Sequence, residues 1–215
     1  MTPERAARLR RRNGAWLAVL GLCMAALLIA AVGARARGAA PTVTSRPRAM
    51  LSGVLTGPAP WPANVAGLRS RLAALGLPAL AREGTVLHIH EHLDVYVNGR
   101  RVAVPAGIGI DVADGFISPL HTHDETGVIH VESPTLRAFT LGQFAGVWGV
   151  RLTQRCLGGY CTAGKKRVWV FVDGRRVRDP RQVRLREHQE IVVAYGTRAM
   201  LPVPIPSGYT FADGL

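Results

Sequence analysis

Leu87 to Val102 reads LHIHEHLDVYVNGRRV, and its alternation decides the fold. Successive strand side chains point to opposite faces, so residues two apart share a face. Leu87, Ile89, Leu93, Val95 and Val97 form an apolar face interrupted by Glu91, while His88, His90, His92, Asp94 and Tyr96 form the other. Asn98-Gly99 is a favoured two-residue hairpin turn, so Arg101 to Val104 is expected to return as the partner strand.

The same grammar extends outward. Val168 to Val172, Asp173-Gly174 and Arg175 onward spell a second hairpin, and Glu190 to Tyr195 a last strand. Gly127 precedes a short strand, Val128 to Glu132. Val65, Leu68, Leu72 and Leu75 step by three and four, which marks a short amphipathic helix that Gly76 and Pro78 stop. Thr140 and Gln143 have capping-box spacing ahead of a stripe of Leu141, Phe144, Ala145 and Trp148. The closing LPVPIPSGYTFADGL reads as extended, polyproline-like chain. The expected class is α+β, mainly antiparallel β hairpins with one or two short helices, preceded by one N-terminal transmembrane helix. Both hairpins imply one buried and one more polar sheet face.

The N-terminus sets the expected location. Residues 1–14 carry Arg5, Arg8, Arg10, Arg11 and Arg12, and residues 15–32, AWLAVLGLCMAALLIAAV, carry no charge. Such a run is at the short end of what spans a bilayer, and the basic flank should stay cytoplasmic. The rival is a cleaved signal peptide, for which Ala34-Arg35-Ala36 is a poor site and the apolar run is long. Cys23 follows Leu22 inside that run, which does not fit a lipoprotein cysteine. Residues 33–63, rich in Pro, Gly, Ser and Thr, read as a linker, and 64–215 as an extracytoplasmic domain.

The net charge of +13 rests on 27 basic residues, of which only Lys165 and Lys166 are lysines. The arginines are scattered, with no zinc-finger spacing, which argues against nucleic acid as a partner. Cys156 and Cys161 frame CLGGYC. An oxidising compartment permits a short-loop disulfide there, the alternatives being a soft-metal pair or two free thiols.

The chemistry is in the histidines. His88, His90, His92, His121, His123 and His130 crowd residues 88–130, and only His188 stands apart. Each HxH pair aims two imidazoles the same way, and imidazole is the commonest protein metal ligand near neutral pH. His88 and His92 have Cα atoms roughly 13 Å apart along a strand, so one ion cannot take all three β-strand histidines. The strand gives two ligands to one ion, or splits three between two ions or between a site and its surroundings. His121 and His123 are the expected further ligands, with His130 as another. Asp94, Asp124, Glu125 and Glu132 lie near enough in sequence to orient imidazole N–H groups. Histidine-rich ligation without thiolate suits Zn²⁺ or Cu²⁺, and a carboxylate among the ligands would admit Fe²⁺, Ni²⁺ or Mn²⁺. Ser118 and Ser133 near histidines are poor grounds for a catalytic triad.

HxHxHLDVYVNG, LHTHDETGVIHVESP and FTLGQFAGVWG together resemble a family of membrane-anchored or secreted bacterial and archaeal proteins of unknown function. The resemblance covers roughly Leu75 to Tyr195. It implies a shared domain, with His88, His90, His92, His121, His123 and His130 at the matching positions, and names no activity. A partial resemblance to cupins runs through Gly84, His88, His90, Asp94 and Gly99. There Asp replaces the usual Glu, and the spacings are shorter.

The functional expectation is a membrane-anchored, extracytoplasmic metal-binding protein that buffers, senses or delivers Cu or Zn. The alternatives are a metal-dependent enzyme, hydrolase or cupin-like oxygenase, and a pH-responsive interaction domain without metal.

Overall fold

The computed structural model describes residues 51–215. The basic tail, the predicted transmembrane or signal segment and the linker as far as residue 50 lie outside the described residues. Among the described residues no helix is long and apolar enough to cross a membrane.

The domain is α+β. Its spine is β1 (Leu87–Val97), which turns through Asn98 and Gly99 into β2 (Arg100–Val102). Both turn residues have positive φ, 51° and 83°, as the expected Asn-Gly hairpin requires. Two small strands, β3 (Ile110–Asp111) and β4 (Phe116–Ile117), pair with each other, and β5 (Leu120–His121) and β6 (Val128–Ser133) follow. Later come β7 (Cys156–Leu157), β8 (Tyr160–Cys161), β9 (Arg167–Val172), β10 (Arg175–Val177) and β11 (Glu190–Gly196). The main sheet runs β10-β9-β11-β1-β6-β5, with β2 also on β1. All its pairings are antiparallel except β1 with β11, which is parallel. Hairpin chemistry accounts for β1–β2 and β9–β10; β1–β6 and β9–β11 are antiparallel across intervening elements, and the parallel β1–β11 pairing joins strands nearly a hundred residues apart, so no local signal marks these three.

One edge of β1 is divided between two partners. β6 pairs with Leu87 to His92, and β2 with Val95 to Val97. At the changeover the Leu93 amide donates to the Gly127 carbonyl at 2.9 Å. Gly127 has φ 95°, and a Cβ there would lie 2.7 Å from the Leu93 carbonyl oxygen and 3.0 Å from His92 Nε2. Only glycine fits that approach.

The apolar face packs on two short helices, α1 (Leu68–Leu75) and α2 (Leu141–Trp148). The Thr140–Gln143 capping box forms as expected, and Gly76 and Gly149 close the helices in the left-handed conformation. Leu93, Val95, Ile129, Val131, Ile191 and Val193 meet Leu68, Leu72, Phe144, Val147 and Trp148 in one core. Burying each such side chain contributes about 1.5–3 kcal/mol.

Two features differ from the sequence reading. The folded domain takes in residues 51–63, assigned above to the linker. Trp61 is buried against Trp148 and Tyr160, and Leu55 bridges to Val150. Arg71, fully buried, stitches this segment down by donating to the carbonyls of Ser52, Asn64, Ala66 and Val147. A Pro-rich composition therefore concealed packed chain. The second sheet face is also less polar than expected. Trp169, Phe171, Val192 and Ala194 form a smaller cluster there, covered by Leu201 and Ile205 of the extended C-terminal segment.

Candidate metal centre

Strand register assembles the site. His130 on β6 lies opposite His90 on β1 and opposite His121 on β5, so three imidazoles form a row across three strands. Two residues along, Glu132 lies opposite His88. Because strand side chains repeat every second residue, all of these project from one face. The two HxH pairs thus flank β6, whose His130 and Glu132 stand between them.

The donor atoms converge. His88 Nε2 is 3.2 Å from His90 Nε2 and 3.4 Å from Glu132 Oε1. His121 Nε2 is 3.1 Å from His123 Nε2, and His130 Nδ1 is 3.2 Å from Glu132 Oε1. Two ligands on a tetrahedral ion, with bonds of about 2.0–2.1 Å, stand roughly 3.3 Å apart. His88, His90, His130 and Glu132 form one group whose donors all lie within 4.8 Å of one another, and His121, His123, His130 and Glu132 form a second. These buried His/Glu groups could hold a metal ion.

Charge and hydrogen bonding favour the form that binds metal. Burial pushes the His121 imidazolium pKa down to about 3 and that of His130 to about 4, with the charge of His123 adding to both. His90 is lowered as well, by burial and then by His88. These rings are neutral at ordinary pH, so each keeps a lone pair. In His121, Nδ1 donates to the Ser118 carbonyl at 3.0 Å, which leaves the lone pair on Nε2, facing His123. Glu132 is raised, by burial and then by Glu83.

Five of the six expected histidines meet here; His92 does not. Its Nδ1 lies 2.6 Å from Glu190 Oε2, and its Nε2 donates to the Thr126 carbonyl at 3.0 Å. Although His92, Asp94 and Glu190 also cluster within 4.8 Å, both His92 nitrogens are occupied by hydrogen bonds, so no lone pair is left for an ion. The ring is closed off by Tyr209, stacked 3.8 Å away at 5°.

The expected orienting carboxylates also divide. Glu132 stands among the histidine nitrogens themselves rather than behind them. Asp94 accepts from Arg101 at 2.8 Å and from the Tyr96 hydroxyl. Asp124 accepts from the Thr126 amide and hydroxyl, which caps its own loop. Glu125 is exposed. The sequence reading missed Glu83, 3.3 Å from His123 Nε2 and 3.9 Å from His121 Nε2. It also missed Glu190 and Tyr209. Glu190 is register partner of His92 across the parallel pair, a relationship that local spacing does not carry. His188 stacks on Phe211 and contacts the Leu215 carbonyl at the chain's end, in keeping with a structural role.

Cys156 and Cys161 are joined as a disulfide across the β7–β8 pair, with Cα atoms 4.1 Å apart. Comparison of the chain with family models, with curated proteins and with solved structures finds no match.

Proposed function

We propose that this chain is a membrane-anchored extracytoplasmic protein that binds Zn or Cu to buffer, sense or deliver it. The ligands are His88, His90, His121, His123, His130 and Glu132. The observation that carries this reading is the His121 side chain. It is fully buried and neutral, its Nδ1–H is spent on a backbone carbonyl, and its free Nε2 stands 3.1 Å from a second imidazole nitrogen. That is how a zinc-binding histidine is held. Mixed imidazole and carboxylate donors without thiolate suit Zn²⁺, and imidazole pairs suit Cu²⁺. An outer location is supported by the basic-then-apolar N-terminus and by the disulfide, which persists in oxidising compartments. His88 and His123 have side chains 51% and 44% exposed, which supplies an entry path for an exchangeable ion.

The test is elemental analysis and metal titration of the full-length chain purified in detergent. Zn²⁺ or Cu²⁺ should bind, and His90→Ala with His123→Ala should abolish tight binding. Unchanged affinity in that double variant would remove the cluster as the site.

One observation favours a second reading, a metal-dependent hydrolase. Glu83, at the rim of the cluster, also lines a groove of about 550 Å³ with Leu80, Arg82, Val86 and Pro134. Ester or phosphodiester turnover by the Zn²⁺-loaded chain, lost in Glu83→Gln, would establish it. The oxygenase reading has less support, because Asp94, the acidic match to cupins, is held by Arg101. So has the pH-responsive reading, because His121 and His130 stay neutral throughout the range such a sensor uses.

A further inference from the structure

We propose that the cluster is a two-ion site, with β6 as the shared central strand. His88 and His90 hold one ion, His121 and His123 hold the other, and Glu132 bridges them, with His130 between. This rests on the metal-binding reading above.

The donor inventory exceeds one ion. Five imidazoles and Glu132 converge, whereas a tetrahedral ion takes four ligands. One six-coordinate ion would hold opposite donors roughly 4.1 Å apart, twice the metal–nitrogen bond. Among the described residues the donors instead separate into two groups of four, each within 4.8 Å, and the two HxH pairs fall in different groups. His130 and Glu132 belong to both.

The arrangement is close to symmetric about β6. On the β1 side, buried His90 pairs with exposed His88; on the β5 side, buried His121 pairs with exposed His123. Each pair has its nitrogens at a tetrahedral edge length, 3.2 and 3.1 Å. Glu132 Oε1 lies 3.4 Å from His88 Nε2 and 3.8 Å from His121 Nε2, so a single carboxylate reaches toward both pairs. Protein two-metal sites hold their ions about 3.5–4 Å apart. A carboxylate so placed also offsets charge for both cations, and Glu83 at the rim supplies a second negative charge beside His123.

The test uses Zn²⁺ and the full-length chain in detergent, with bound metal counted per chain after titration. The wild type should hold two tight equivalents. His88→Ala and His123→Ala, both at exposed positions where folding is least at risk, should each weaken one equivalent tenfold or more and spare the other. Glu132→Gln should weaken both. A wild-type chain that holds a single equivalent overturns the two-ion site. So does a second equivalent indifferent to all three substitutions, because it lies elsewhere. A chain that holds none overturns the metal-binding reading itself, and that failure is distinct from the first two.

Discussion

His121 donates its Nδ1 proton to the backbone carbonyl of Ser118 at 3.0 Å, from a position with no solvent exposure. A main-chain acceptor cannot be lost by side-chain motion, so the ring is fixed in one tautomer and one orientation. Nε2 is therefore held in advance toward His123.

That arrangement has a spectroscopic signature. Nitrogen-15 NMR of the imidazoles should show His121 as the Nδ1–H tautomer, with His121 and His130 both neutral at pH 5.5. Their folded-state pKa values, about 3 and about 4, lie below the usual 6.5, so the unfolded chain takes up protons first. Their contribution to stability is complete above about pH 6.5 and falls as pH drops toward 4, by about 1.4 kcal/mol per unit for each ring. Glu132, raised by burial, acts in the opposite sense over the lower part of that range. A His121 ring that titrates near pH 6.5 in the spectrum would refute the assignment.

Glu91 is the discordant residue on the apolar face of β1. It is fully buried, neither carboxyl oxygen has a hydrogen-bond partner, and burial followed by the charge of Glu187 raises its pKa well above the usual value. Above about pH 4.5 the unfolded chain ionises this group while the folded chain does not, so stability falls as pH rises toward the folded pKa. Glu91→Met should therefore raise unfolding free energy by roughly 2–4 kcal/mol at pH 8, and by much less at pH 4.5. Urea midpoints at the two pH values measure this. An equal gain at both would mean that packing, not ionisation, governs the site.

Sequence spacing carries local structure well. Both hairpins, the capping box and the two HxH pairs are local, and each formed where period and turn chemistry put it. Long-range pairings were not legible. The parallel β1–β11 register that sets Glu190 beside His92 joins residues 98 apart, and it takes His92 away from the other five clustered histidines. Glu83 reaches His123 across a loop. The row of His90, His130 and His121 depends on how β6 slots between β1 and β5, which sets Glu132 among the histidine nitrogens rather than behind them. Composition misled at residues 51–63, where Pro and Gly coexist with a buried Trp61.

The disulfide should matter little to the metal. It closes a loop between residues five apart, and chain-entropy arguments assign such a loop about 2 kcal/mol. The β7–β8 unit packs toward Trp61 and Tyr195, through Tyr160. Cys156→Ser with Cys161→Ser should lower unfolding free energy by about that amount and leave Zn²⁺ stoichiometry unchanged. A change in stoichiometry would instead give the cysteines a role as ligands.

Tyr209 offers the complementary separation. It stacks on His92 at 3.8 Å, and Phe211 packs edge-on against it and stacks on His188, so the C-terminal segment is fastened to the sheet by aromatic contacts. Such stacks contribute about 0.5–1.5 kcal/mol beyond the area they bury. Tyr209→Ala should therefore destabilise the fold by about 1–3 kcal/mol, adding the loss of a half-buried ring to the loss of the stack. It should also let water reach the His92–Glu190 pair, whose short 2.6 Å contact depends on that cover. Hydrogen exchange at the β1–β11 boundary should rise, while Zn²⁺ affinity holds within about twofold. If affinity instead fell as far as in His123→Ala, His92 would have to be counted among the ligands, and the division of the β1 histidines between an ion and a structural pair would be wrong.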